Sequence, residues 1–529
     1  MKRILAFALF ILSAFSASAQ SERVFVVTDR QAYIAGDRVW CSLFCLDEKG
    51  LLSDRSAVAY LELVSTADCA AEAKISLLNG RGAGEFLLPG NLPTGNYRLM
   101  AYTSLEGAGN ALAGSRLISV YNTSSLSRVP GGVVTGEKSP SVELEQVSDG
   151  LSIVCPGKVR QGKSFTAMIS GLSSCISVSV YHLDGLEQCL PEPMAAFKNH
   201  FPLAGTEGTV EYDGEIIHGT VQNAPVSTAC ILSSAGSPGD TYVAFVEKDG
   251  SVHFPTGNIF GDREMVCAVM ESGENVRIRL ESPFRHLSAG EIPALKLDRE
   301  QYSALVKRKD ALAAHYAVDT LVQFLPRRSD LLLSGVSWKK YHLDDYTRFP
   351  TIKEVAVEIL PEVRIRGERL EVAVHDGTSS KSVYKDYVLT MMDGVVIPDL
   401  SLIMDFDAML IEDVLVCTQP LVLGTTVFNG IVNFVTKKNY VTALNFPESV
   451  CVLNFKGVSY PVAYPGTTPS GRDTRELLYW HPLLELKAGE PLRLNLTAPS
   501  YSGRFCAIAE GLSDDGKPLR CVTYFEVEN

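Results

Sequence analysis

The chain has no Cys-x-x-Cys pair and no Cys/His cluster at zinc-finger spacing, so its 12 cysteines announce no structural zinc site. It also lacks a Gly-x-Ser-x-Gly elbow, a His-Glu-x-x-His pair and a Gly-rich phosphate loop leading into a helix. Those absences remove the usual local signatures of serine hydrolases, zinc peptidases and nucleotide binders. Long basic runs are missing as well, and the net charge is −13. An acidic surface repels phosphate backbones and anionic lipid, which excludes nucleic acid as an expected partner. After the first 19 residues no segment is apolar and long enough to span a bilayer, so no direct membrane span is expected. No catalytic, cofactor or metal residue is assigned, and the chain reads as a non-enzyme.

Residues 1–19 carry an export signal. Lys2 and Arg3 form a basic start, Ile4 to Phe15 an apolar run, and Ala17-Ser18-Ala19 a small-x-small cleavage site. The expectation is an exported protein, periplasmic or associated with an outer membrane. No Cys stands at the cut, so lipidation there is not expected. Export permits disulfides. Most cysteines nevertheless sit inside apolar strand-like runs, such as Val39-Trp40-Cys41 and Val416-Cys417, and read as buried thiols. Cys41 and Cys45 share a strand face about 13 Å apart and cannot bridge one another.

The rest is mainly β: multi-domain antiparallel β-sandwiches with a helical insert and one small α+β module. Residues 20–123 show strands and tight turns at sandwich spacing. Residues 124–141 are rich in Ser, Gly, Pro and Val and read as a linker. Strand patterning resumes over 142–204, where the alternation Ile176-Ser177-Val178-Ser179-Val180 puts one face on a core. A third sandwich is expected over 205–283. Helical periodicity over 300–323 marks a connector at 284–349. Thr351-Ile352-Lys353-Glu354 is a capping box, and Pro361 stops the helix it starts. Short strands follow within 350–440, and 441–529 returns to sandwich grammar.

Three stretches resemble known families. Tyr33-Ile34-Ala35-Gly36-Asp37-Arg38-Val39-Trp40, closed by Leu92-Pro93-Thr94-Gly95-Asn96-Tyr97, resembles a macroglobulin-type domain of the alpha-2-macroglobulin family. That resemblance implies a sandwich with Gly36 permitting a turn and Trp40 plugging the inter-sheet core. Gly219-Thr220-Val221 and Lys248-Asp249-Gly250-Ser251-Val252-His253-Phe254 resemble a carboxypeptidase-regulatory-type sandwich. Residues 351–440 resemble the plug domain of TonB-dependent outer-membrane receptors. The pieces are Met392-Asp393-Gly394-Val395, Ile411-Glu412-Asp413-Val414-Leu415-Val416, Gly424, and Phe428-Asn429-Gly430-Ile431-Val432-Asn433-Phe434-Val435-Thr436-Lys437-Lys438. A barrel needs at least eight membrane strands of about 9–11 residues each, which the sandwich-like residues after Tyr440 do not supply. The resemblance therefore implies a plug without its own barrel, docking on a protein partner such as an outer-membrane β-barrel or an envelope complex. The candidate interaction surface is Asp393, Gly394, Glu412, Asp413, Gly424, Asn429, Gly430, Lys437 and Lys438.

The macroglobulin likeness also raises protease binding or inhibition as an alternative. A covalent trap needs a Cys-Gly-Glu-Gln thioester, which the sequence lacks. Asp344-Asp345 with His342 reads as a solvated linker unless its ligands converge in space. His375-Asp376-Gly377 reads as a turn, and Trp480 as core rather than an exposed binding spot.

Overall fold

The computed structural model describes all residues except 1–20, 67, 107–111, 125–132, 136–143, 200–207, 237–239, 271–274, 317–334, 368, 375–382, 424–425, 467 and 470. The expected export signal, the His375-Asp376-Gly377 turn and Gly424 lie outside the described residues. The fold is mainly β, built of antiparallel sheets with few and mostly short helices.

The first sandwich is an eight-stranded sheet folded on itself. Its long strand Cys69–Leu78 pairs with Arg81–Leu87 on one side and Val58–Val64 on the other. The two layers thus share one strand. Tyr33, Cys41, Cys45, Leu61, Tyr97 and Leu99 fill the space between them. Gly36, at φ +92°, makes the expected turn. Trp40 does not plug this core. It lies on the outer face, edge-on to Tyr464 at 5.6 Å, in an apolar layer shared with Tyr181 and Trp480.

That layer joins the first sandwich to a second one, and the second is discontinuous in sequence. Ser174–Leu183 pairs with Leu477–Leu486 on one edge and Gly503–Ser513 on the other. Ser164–Gly171 pairs with Leu492–Thr497. The strands of 142–204 and those from Leu477 to Glu528, read as parts of separate sandwiches, are therefore halves of one outer sandwich with a common core. Alternation tells which face of a strand is buried but not which strand lies beside it. The same limit affected Ser177 and Ser179. Both are buried against the first sandwich, where Ser179 Oγ donates to the Asp29 carbonyl at 2.5 Å.

A middle sandwich is inserted between those halves. Its strands Ala229–Ser234 and Arg263–Val269 form a four-stranded sheet completed by Val450–Phe455, which returns from far downstream. Inserted in turn before Val450 is the α+β module. Its mixed sheet orders Lys339–His342, Ile411–Cys417, Gly430–Thr436, Val388–Met392 and Val395–Val396. Val388–Met392 runs parallel to Gly430–Thr436, and the other neighbours are antiparallel. Helix Ile352–Glu358 begins at the expected box, with Thr351 Oγ1 accepting from the Glu354 amide and Glu354 returning to the Thr351 amide. Its Ile352 and Val355 pack beneath the sheet with Val414, Val432 and Phe434. The module begins at Lys339, inside the range read as connector.

Two more segments brace the assembly. Leu295–Leu297 pairs in parallel with Val133–Thr135, so the expected linker contributes a short strand. Helix Arg299–Tyr316 buries Leu305 and, unexpectedly, Arg308, while Val306 stays exposed. Arg308 Nε reaches Asp184 at 2.8 Å and Nη1 donates to the Ala32 carbonyl at 2.6 Å. One buried guanidinium thus ties the helix to two sandwiches. No described helix is long and apolar enough to cross a membrane.

Candidate functional site

The Asp-Gly turn of the module is a structural hub. Asp393 and Gly394 have φ of +51° and +82°, the double positive φ of a type I′ hairpin turn. Asp393 is fully buried. Its carboxylate accepts from the Thr436 amide and hydroxyl, both at 2.6 Å, and from the Val441 amide at 3.3 Å. Its carbonyl accepts from Gly236 of the middle sandwich at 2.7 Å, and the Gly394 amide donates to Asn433 Oδ1 at 3.1 Å. Neither residue is available as an interaction surface, because the turn is enclosed where module and middle sandwich meet.

Several other candidates also serve the fold. Asn429 Nδ2 donates to the Asp386 carbonyl at 2.7 Å. Gly430 is buried, and a Cβ there would stand 2.6 Å from the Cys417 carbonyl oxygen. Asp413 is nearly buried and receives Lys340 Nζ at 2.7 Å and His342 Nδ1 at 2.8 Å. Burial opposes its charge, but those two partners outweigh burial and hold the carboxyl below its ordinary value. Glu412, Lys437 and Lys438 are exposed. At the other end of the strands Ile411–Cys417 and Gly430–Thr436 lies an apolar ribbon that the sequence alone does not flag, Leu421–Leu423 paired with Thr426–Phe428. Its directly opposed Val422 and Val427 are 62% and 50% exposed. Leu421-Val422-Leu423-Gly424-Thr425-Thr426-Val427 carries no local sign of which valines lack a cover, which depends on the surrounding fold.

Among the described residues, three places bring metal-ligating side chains within 4.8 Å of one another. The first is His342, Glu412 and Asp413, so the ligands around His342 do converge. Lys340 on Asp413 and Arg348 on Asp344 at 2.6 Å already neutralise it. The second is His182, Asp184 and Glu476. There His182 Nδ1 bonds Glu476 at 2.7 Å, and Arg308 occupies Asp184. The third is Glu62, Cys69 and His286, on the rim of the first sandwich beside a cavity of about 520 Å³. Glu62 accepts from Tyr102 and from the amides of Arg285, His286 and Leu287 at 2.8, 3.0 and 3.1 Å. His286 Nδ1 lies 3.6 Å from Glu72 Oε1. No local motif unites these residues, since the segment 284–287 arrives from beyond the middle sandwich.

All twelve cysteines are free thiols, and nine are buried, in agreement with their reading as small core residues. Trp480 is core, at 4% exposure. The joints between sandwiches are held by buried ion pairs. Lys74 Nζ lies 2.6 Å from both Glu215 oxygens, and Arg116 Nη2 lies 2.9 Å from Glu510.

No family model matches the chain, and no curated protein matches it. Among solved structures it is distantly similar to bacterial alpha-2-macroglobulins. Against trypsin-activated alpha-2-macroglobulin from Escherichia coli the identity is 9% and the TM-score 0.26, covering 96% of this chain and 42% of that one. Against Salmonella alpha-2-macroglobulin reacted with methylamine the identity is 9% and the TM-score 0.25, covering 96% and 39%. Dimeric latent PorU from Porphyromonas gingivalis gives 10% identity and a TM-score of 0.16, over 49% of this chain and 33% of that one. The chain spans about two fifths of the length of the macroglobulins it is similar to. Nothing in these comparisons supports the TonB-receptor resemblance of residues 350–440.

Proposed function

We propose that this is a non-enzymatic envelope scaffold that presents its α+β module to a protein partner, with an outer-membrane β-barrel or an associated complex as the expected class. The observation behind this reading is the Val422/Val427 ribbon, an apolar cross-strand pair left in solvent at the end of the sheet where the exposed Tyr387 also lies, its carbonyl accepting from the Asn429 amide. Exposed apolar side chains grouped at one end of a sheet mark a surface suited to a protein contact. The module is fixed rather than tethered. Its Leu389 and Met391 pack on Ile231, and its Met392 belongs to a core that includes Val266 and Ala268 of the middle sandwich. A photo-crosslinker at position 427, used in native envelopes, should trap a protein partner that a crosslinker at the buried position 432 does not. Recovery of uncrosslinked monomer alone counts against the reading.

A second reading is protease binding without a thioester, motivated by the macroglobulin-type Tyr33–Trp40 segment, which does fold as a sandwich. Incubation with proteases of several classes discriminates. A stable complex favours this reading, whereas no complex and no protection of substrate removes it.

A further inference from the structure

The three clusters of metal-ligating side chains differ in how their charge is balanced. His342/Glu412/Asp413 and His182/Asp184/Glu476 are each neutralised by a lysine or an arginine in direct contact. At Glu62/Cys69/His286 no lysine or arginine forms an ion pair with Glu62 or Glu72 among the described residues. The basic groups nearby are engaged elsewhere. Lys74 is bound to Glu215, Lys456 lies 2.9 Å from Asp262, and the Arg285 guanidinium donates to the Ser104 and Glu106 carbonyls. The site also combines a sulfur, an imidazole and a carboxylate, the donor set that suits zinc rather than magnesium or calcium.

We propose that Cys69 Sγ, His286 and Glu62 bind one Zn²⁺, with the fourth position open to the adjoining cavity. Tetrahedral zinc takes sulfur at about 2.3 Å and nitrogen or oxygen at about 2.0–2.2 Å, which sets ligand atoms roughly 3.2–3.8 Å apart. Donor atoms that already lie within 4.8 Å need only small side-chain rotations to reach that spacing. The backbone favours the arrangement from both sides. Three successive amides, from Arg285 to Leu287, grip Glu62 and fix the crossing segment over it. His286 is held at φ +49°, in the left-handed region that histidine enters more readily than most residues, which stations its ring at this rim. Glu72, 3.6 Å from Nδ1, stands where a second carboxylate orients a zinc-bound imidazole through its other nitrogen. On binding, the Cys69 S–H bond breaks, its proton leaves to solvent and a Zn–S bond forms, so no redox partner is needed. The metal would clasp the chain leaving the middle sandwich onto the first one.

Titration of the full chain with Co²⁺ tests this, because a thiolate ligand gives an intense charge-transfer band in the near ultraviolet. One equivalent of Co²⁺ should produce the band, and Zn²⁺ should bleach it stoichiometrically. Cys69→Ser should abolish the band. His286→Asn, which tolerates the positive φ, should weaken Zn²⁺ binding strongly in a chelator competition. Glu72→Gln should weaken it about 10–100-fold. His342→Ala, at the cluster neutralised by Lys340, should leave binding unchanged. Circular dichroism of each variant verifies folding. Absence of the band in the folded wild type, or Zn²⁺ affinity that ignores Cys69→Ser and His286→Asn, overturns the proposal.

Discussion

Replacing Lys74 by Met should be among the most destabilising single changes in the molecule. Lys74 and Glu215 are each about 1% exposed, and they join the first sandwich to the start of the middle one. At 2.6 Å and an effective dielectric of about 20, their attraction is about 6 kcal/mol. Several kcal/mol of desolvation per ion roughly cancel it. Burial accordingly lowers the Lys74 pKa and raises that of Glu215, and each partner restores part of the other's charge. Removing one partner keeps the second ion's desolvation cost without the attraction, a loss of about 3–5 kcal/mol. Lys74 also sits 4.1 Å from the centre of the Phe455 ring, a contact Met partly replaces. The double variant Lys74→Met/Glu215→Leu removes both ions together and should recover most of the loss. Urea unfolding of the four proteins, followed by tryptophan fluorescence and by proteolysis at the sandwich junction, reads the cycle. If the double variant loses the sum of the two singles, the pair is not the buried, mutually dependent unit described.

Thr351→Ala removes the hydroxyl that accepts from the Glu354 amide, leaving only the backbone half of the capping box, and should cost about 0.5–2 kcal/mol, seen as earlier proteolysis of the module. Gly430→Ala forces a methyl against the Cys417 carbonyl and should cost about 1–3 kcal/mol in a thermal melt. Glu211 is pushed up to about 7, first by burial, although the Ile216 amide and Tyr60 hydroxyl favour its charge. A raised carboxyl pKa means that the folded chain holds a proton the unfolded chain releases near 4.5, so this contribution is lost as pH rises through about 7. Glu211→Gln should therefore gain stability relative to wild type between pH 5 and pH 8. A difference in melting temperature that stays flat with pH would refute the assignment.

Strands, turns and the capped helix were legible because their signals are local. Thr351 and Glu354 stand three residues apart, and Asp393-Gly394 names its own turn. What was not legible depended on distant partners. Asp393 reads as an exposed turn residue until Thr436 and Val441 are seen to enclose its carboxylate. Ser177 and Ser179 read as solvated because nothing nearby in sequence announces the first sandwich against them. Arg308 reads as the polar side of a helix, although Asp184 and Glu187 wait for it across the fold. The candidate surface rests on a family motif, whose residues serve backbone geometry as often as contact. Asp393, Gly394, Asp413, Asn429 and Gly430 accordingly belong to the frame of the module, while Glu412, Lys437 and Lys438 are exposed.

The interleaved connectivity also dictates an order of assembly. Ser177 donates to the carbonyl of Pro482, a partner 305 residues later. While the chain is being synthesised, the strands around Ser174–Leu183 must wait with both edges unpaired, a state prone to mispairing. The module between Lys339 and Thr436 has its strand partners close in sequence and can close much earlier. Maturation therefore runs from the inside outward, and the outer sandwich acts as the final seal on everything it encloses. A chain stopped before Leu477 would be a completed interior with an open hull.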